Sequence, residues 1–163
     1  RRSSDLCIGL LLSNKYIQRP KLLQSLRFSL QMLETEIVYG STPLPYALES
    51  VGGRSDSPWE SFFREVSYNI LERKYYTMEA AWKDAMDKHL TSMPLHKDDI
   101  SLLMGLGKVI GKSDTEDQGK HFKLIYAQLA HHEARAEAER KKNERMYRSL
   151  GILIGIAIYI III

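Results

Sequence analysis

The sequence contains a single cysteine, Cys7, in 163 residues. One thiol excludes a disulfide framework and any thiolate metal site. No stretch alternates apolar and polar residues with period two, so no strand is predicted. The net charge is only +3, and no run of Lys and Arg is interleaved with aromatics, so the usual footprint of nucleic-acid recognition is missing. Serine never occurs in a nucleophile-elbow pattern. The sequence therefore offers no catalytic constellation and requires no cofactor or metal. Proline is scarce, five in all, and none lies between Ser113 and Ile163. Hydrophobic residues make up 44% of the chain, enough for one modest core in a chain of one domain's length.

What is present is helical, and it is organised around the last third. Ser113-Asp114-Thr115-Glu116 has capping-box spacing, with Ser113 as the cap, and Phe122, Ile125 and Leu129 then give an apolar face. That face fades into His131 to Arg148, rich in Glu, Arg, Lys and Ala, where Glu137–Lys141 and Glu144–Arg148 are favourable pairs four apart. Leu150 to Ile163 follows, fourteen residues without a charge. A spanning helix wants roughly 20 apolar residues, and a shorter run can be a buried core helix. This run, however, is apolar on every face and is preceded by Arg140, Lys141, Lys142, Arg145 and Arg148, so it reads as entering lipid. Met146 and Tyr147 add a turn, with Tyr147 suited to the interface, and Gly151 and Gly155 form a small-xxx-small pair for close packing. The pattern predicts one continuous helix that leaves the core beyond about Ala136, crosses solvent as a stalk, and inserts.

The other basic residues sit beside the other apolar end. Leu6 to Leu12 is apolar and is followed by Lys15, Arg19 and Lys21, which favours a truncated membrane segment over a signal-like start. Basic flanks on the domain side of both ends predict a cytoplasmic domain on a cell membrane. Between them Pro20 is predicted to start a helix with Leu22, Leu23, Leu26, Leu30, Leu33 and Ile37 in one stripe, ended by Gly40. Thr42 and Ser57 are predicted N-caps, each followed by Pro, and Thr77 is a third. Their helices present Tyr46, Ala47 and Leu48, then Trp59, Phe62, Phe63, Val66 and Ile70, then Met78, Trp82, Met86 and Leu90. A fifth helix from about Asp98 to Gly111 points Ile100, Leu103, Met104 and Ile110 inward. The fold predicted is all-α, a compact bundle of about six helices, the last long and running into a C-terminal membrane segment. Its parts are 1–19, a membrane-segment remnant with its basic flank; 20–136, the bundle; 137–149, the charged stalk; and 150–163, the membrane segment.

Two near-motifs frame the rival reading, a small helical bundle that binds metal or nucleotide. Gly111-Lys112-Ser113 has the end of a phosphate-binding loop, but the motif needs Gly at position 106, where Leu stands between Gly105 and Gly107, and it needs a preceding strand. It reads instead as the end of one helix and the cap of the next. Gly105 and Gly107 read as sites of close helix contact. In His131-His132-Glu133 the two histidines point about 100° apart and cannot share one ion, so the cluster reads as solvated helix surface. His89, His96 and His121 are scattered. Nucleotide and metal binding assays separate this class from a scaffold; a generic coiled-coil tether is disfavoured by the capped helices before the stalk.

Four segments carry a family resemblance: Gln31 to Leu44, the helix around Trp82, Leu106 to Gln118, and Met146 to Gly151. Together they closely resemble the stage III sporulation protein AB family of endospore-forming bacteria, over nearly the whole chain. That family is similar to the cytoplasmic domains of type II secretion and type IV pilus platform proteins. Their Gly-x-Pro-Leu-x-x-Ala-Leu helix start is matched by Gly40 to Leu48, with one extra residue before Pro43. Their Gly-Glu-x-x-Gly turn is matched by Gly107 to Gly111, with Lys108 in place of Glu, so no acidic or metal site is carried over. The resemblance implies a non-enzymatic membrane platform required for sporulation, on the mother-cell side of the assembly linking mother cell and forespore. It implies a cytoplasmic ATPase and channel components as partners, beside membrane lipid and possible self-association, and no nucleic acid.

Overall fold

The structure, a computed structural model, describes residues 2–111 and 115–163, with side chains from residue 14 onward except at 115 and 116. Six α-helices follow one another: α1 (Arg2–Glu34), α2 (Leu44–Gly52), α3 (Trp59–Leu71), α4 (Met78–His89), α5 (Lys97–Ile110) and α6 (Thr115–Ile162). A short π turn, Thr35–Tyr39, widens the end of α1. No strand occurs among the described residues. The helices α2 to α5 are joined by short connections and pack as successive antiparallel neighbours, as short loops require. The long helices α1 and α6 pair with each other and close the bundle.

One contiguous core holds these elements. Leu23, Leu26, Leu30 and Leu33 of α1 meet Leu48 and Val51 of α2, with Phe122 and Leu129 of α6 on the same core, all essentially inaccessible. At its centre the Phe62 and Trp82 rings stand edge to face, centroids 4.9 Å apart at 89°, the arrangement that ring quadrupoles favour. Both buried indoles are satisfied: Trp59 Nε1 donates to the Leu22 carbonyl at 3.1 Å and Trp82 Nε1 to the Leu103 carbonyl at 2.9 Å. Trp82 approaches so closely because Gly107 lacks a side chain; a Cβ there would meet the ring at 2.5 Å. Gly105, two residues earlier and about 200° round the helix, has nothing within 4 Å and permits no close contact, contrary to its reading from sequence. In α5 the inward face is Leu102, Leu103, Leu106 and Ile110, and Ile100 and Met104 are only partly buried beside it.

Several local expectations are corrected. Pro20 lies inside α1 and does not start it. The helix α1 thus carries the basic flank and the leucine stripe as one continuous element. Thr42 does not cap α2; Pro43 holds that position, and the Thr42 hydroxyl donates to Glu36 Oε2 at 3.0 Å. Glu36 also accepts from Ser50 Oγ at 3.0 Å and from Arg54 Nη2 at 2.5 Å. These bonds, Thr42 first and then Ser50, outweigh desolvation and hold the Glu36 carboxyl below its ordinary pKa. Ser57 likewise caps nothing, because Pro58 occupies the N-cap of α3 and the Glu60 amide bonds to the Asp56 carbonyl. Thr77 does cap α4, its Oγ1 accepting from the Ala80 amide at 3.2 Å. Ser113 lies outside the described residues.

Candidate functional site

The two long helices run antiparallel, and three polar contacts fix their register. Tyr126 Oη donates to Glu34 Oε2 at 2.8 Å, Arg27 Nε to Glu133 Oε1 at 2.8 Å, and Arg19 Nη1 to Glu139 Oε2 at 3.2 Å. The apolar end of α6 and the start of α1 therefore lie at the same end of the bundle. At that end the helices are tied to α5 by a buried polar joint centred on Asp99.

Asp99 is in the first turn of α5, where its Oδ2 accepts from the His96 amide at 2.8 Å and satisfies a free helix donor. The same carboxylate takes Arg19 in a two-pronged fork, Nε to Oδ2 at 2.8 Å and Nη2 to Oδ1 at 3.0 Å. His132 of α6 adds a fourth contact, Nδ1 to Oδ1 at 2.7 Å. The Arg19 and Asp99 side chains are 5% and 1% exposed. Burial pushes the Asp99 carboxyl up, but the bonds from Arg19, the His96 amide and His132 together outweigh it, and its pKa lies below the ordinary value. Asp99 is thus an anion whose lone pairs are spent on α1, on α6 and on its own helix.

This joint revises two readings of the sequence. Arg19 is not a solvated membrane flank, because the buried Asp99 anion holds it inside. His131, His132 and Glu133 are not uniformly solvated surface. With about 100° between neighbours, His131 faces solvent, His132 reaches Asp99, and Glu133 pairs with Arg27. Among the described residues no three His, Cys, Asp or Glu side chains are grouped to hold a metal ion. Of the near-motif, Gly111 ends α5 and packs so close to Met78 that a Cβ would meet it at 2.7 Å; Lys112 and Ser113 lie outside the described residues.

Beyond the joint α6 becomes exposed. Ala136 is still buried and Glu139 is still held by Arg19, so packing continues about one turn past the expected start of the stalk. The predicted pairs Glu137–Lys141 and Glu144–Arg148 do not form. Arg140 takes both carboxylates instead, Glu137 at 2.7 Å and Glu144 at 3.4 Å, since its guanidinium can fork where an ammonium cannot. Lys141, Lys142, Arg145, Tyr147 and Arg148 are exposed. Gly151 and Gly155 have open space around them. α6 is the one helix, among the described residues, long and apolar enough to cross a membrane, and none of its apolar window is buried. On the flank of the bundle, a groove of about 770 Å³ between α5 and α6 opens over Gly105, walled by Leu102, Leu106, Leu124 and His131.

The comparisons with known proteins agree with this architecture. The stage III sporulation protein AB family model matches residues 3–163. Stage III sporulation protein AB of Bacillus subtilis (strain 168) is 32% identical over 154 residues, covering 94% of this chain and 90% of that protein. A solved structure of a stage III sporulation protein AB superposes with a TM-score of 0.68 at 32% identity, covering 76% of this chain and 96% of that one. With the six-helix bundle and its long apolar final helix in place, the chain belongs to the stage III sporulation protein AB family.

Proposed function

We propose that the chain is a non-enzymatic, membrane-anchored platform for endospore formation, which docks partners of the mother cell–forespore channel assembly on its cytoplasmic bundle. The observation that carries this reading is the Asp99 joint. It ties both helices that lead to the apolar end onto the body of the bundle, so that the bundle is presented in a fixed attitude to the membrane. The partners are a cytoplasmic ATPase and channel components, and the exposed Tyr39, Tyr46, Tyr68 and Tyr76 at the end away from the anchor suit protein contacts, since tyrosine offers apolar area with a polar tip.

The test is to uncouple anchor from bundle without unfolding either. Met146→Pro removes a backbone donor and clashes with the preceding turn, at ~3 kcal/mol or more, in an exposed part of α6. Sporulation should fall in cells carrying this variant as their only copy, while the near-ultraviolet signal of Trp59 and Trp82 is retained. Normal sporulation with the variant would refute a role that depends on rigid anchoring. Reporter fusions in the loop around Arg54–Ser57 should report cytoplasm, and an outward signal would overturn the orientation.

A further inference from the structure

The charges of the exposed part of α6 are unevenly matched. From residue 137 onward the carboxylates are Glu137, Glu139 and Glu144, and the cations are Arg140, Lys141, Lys142, Arg145 and Arg148. Arg140 alone engages both Glu137 and Glu144, and Glu139 is taken by Arg19 from α1. Every carboxylate of the segment is therefore occupied, by two arginines. Lys141, Lys142, Arg145 and Arg148 have no carboxylate within ion-pairing distance among the described residues, and Lys141 feels Glu137 only at longer range. On the bundle, Arg27, Arg54, Arg64, Lys83, Lys88 and Lys108 each have an acidic partner, and cations there without one among the described residues, such as Lys97 of α5 and Lys123 of α6, stand on different helices and form no stripe.

The unmatched cations are also aligned. Counting ~100° per residue, Arg148, Lys141 and Arg145 lie roughly 180° to 240° round the helix from Glu139, which faces the bundle. They form a stripe on the outward face, with Lys142 on its flank. The same face continues into Ile152, Gly155 and Tyr159 of the uncharged run. A ligand that meets the stripe must therefore be anionic at the level of Lys141 to Arg148 and apolar immediately beyond Leu150.

We propose that the outward stripe Lys141, Arg145 and Arg148, with Lys142, is a binding surface for the phosphate headgroups of anionic phospholipids. Charge complementarity selects the headgroup, and the apolar continuation of the stripe selects a lipid over a free phosphate or an acidic peptide. Arg140 has a different part: by absorbing the two exposed glutamates it keeps them from neutralising the stripe. Juxtamembrane clusters of four or more Lys and Arg recognise anionic lipid in this way, and the effect weakens as salt screens it. This inference rests on the anchoring of α6 in a bilayer.

The test uses the full chain carrying Leu150→Trp as a reporter, reconstituted in vesicles of brominated phosphatidylcholine or brominated phosphatidylglycerol and in their mixtures. Trp59 and Trp82 are buried in the bundle and give a constant unquenched background. Quenching of the new tryptophan should show a preference for phosphatidylglycerol of about fivefold for each cation that meets a headgroup, at moderate salt. The preference should fall below about twofold near 1 M salt, where the screening length is ~3 Å. Combining Lys141→Gln, Lys142→Gln, Arg145→Gln and Arg148→Gln should abolish it, whereas Lys97→Gln and Lys123→Gln on the bundle should not. Equal quenching by the two lipids would overturn the inference and leave the anchor standing; no quenching by either would overturn both. Loss of sporulation in the fourfold variant without any change in lipid preference would assign the stripe to an acidic protein instead.

Discussion

Replacing Asp99 by Ala should be among the most damaging single changes outside the aromatic core. The substitution deletes the acceptor of four contacts and leaves Arg19, 5% exposed, with only its 3.2 Å contact to Glu139. Breaking a buried pair by removing one partner costs ~3 to 5 kcal/mol, because the surviving charge stays desolvated. That is a large part of the ~5 to 15 kcal/mol that holds a typical domain folded, and it should lower the melting temperature by about 10 °C or more. The assay is thermal unfolding of the full chain in detergent, followed in the near-ultraviolet so that Trp59 and Trp82 report on the bundle rather than on the anchor helix. Two companions sharpen it. Glu139→Ala, at 33% exposure and with only a 3.2 Å contact to Arg19 and a 3.8 Å approach to the His96 ring, should cost under ~1 kcal/mol. Arg19→Met combined with Asp99→Leu should be less damaging than Asp99→Ala alone, since two apolar groups leave no orphan charge. If Asp99→Ala melts within about 2 °C of the parent chain, the joint does not bear on stability and the brace is wrong.

Other outcomes follow from the same geometry. The Asp99 pKa is depressed below its unfolded value of about 3.9, so its contribution is complete above that pH and is lost as pH falls through the folded value. An acid titration of the near-ultraviolet signal should accordingly hold its plateau down to about pH 4 and then fall, and Asp99→Asn should flatten that fall. Gly107→Ala should destabilise by ~1 to 3 kcal/mol, because its Cβ would stand 2.5 Å from the Trp82 ring, whereas Gly105→Ala should stabilise by about 0.5 to 1 kcal/mol in open space; a denaturant titration of each decides. Thr77→Ala should cost ~1 kcal/mol through the lost cap, and Ser57→Ala, whose hydroxyl caps nothing, should fall within about 0.5 kcal/mol of the parent in the same titration.

Much of the architecture is legible in the sequence because helical period is a local signal. The stripes of α1, α3 and α4 follow directly from apolar residues three and four apart. Pro20 misleads because proline is tolerated at a helix start and the rule carries no information on a helix already running. The caps at Thr42 and Ser57 fail for a different reason: whether a hydroxyl caps depends on which partner comes within reach, and for Thr42 that is Glu36, from the preceding turn. The joint did leave a trace. Arg19 falls four residues before Leu23 in the stripe Leu23, Leu26, Leu30, Leu33, and His132 and Glu139 fall in step with Phe122, Ile125, Leu129 and Ala136. Polar residues at core spacing on both long helices signal a buried polar contact. What one sequence cannot supply is the third member, Asp99, which looks like an ordinary first-turn acid of α5.

The pairing of α1 with α6 has a consequence for how the chain acquires its fold. Arg19 and Glu139 are separated by 120 positions, and Arg27 and Glu133 by 106. As the polypeptide is made, α2 to α5 can collapse on one another through short connections, and Arg19 of α1 can find Asp99 of α5, but Arg27 and Glu34 of α1 have no counterpart until α6 exists. Closure over so long a separation is slow compared with the local hairpins. The segment that completes the bundle is also the one that leads into the apolar run, so closure of the soluble part and completion of that run are coupled late events. A chain interrupted before α6 would expose the leucine stripe of α1 and be a substrate for quality control rather than a half-working protein.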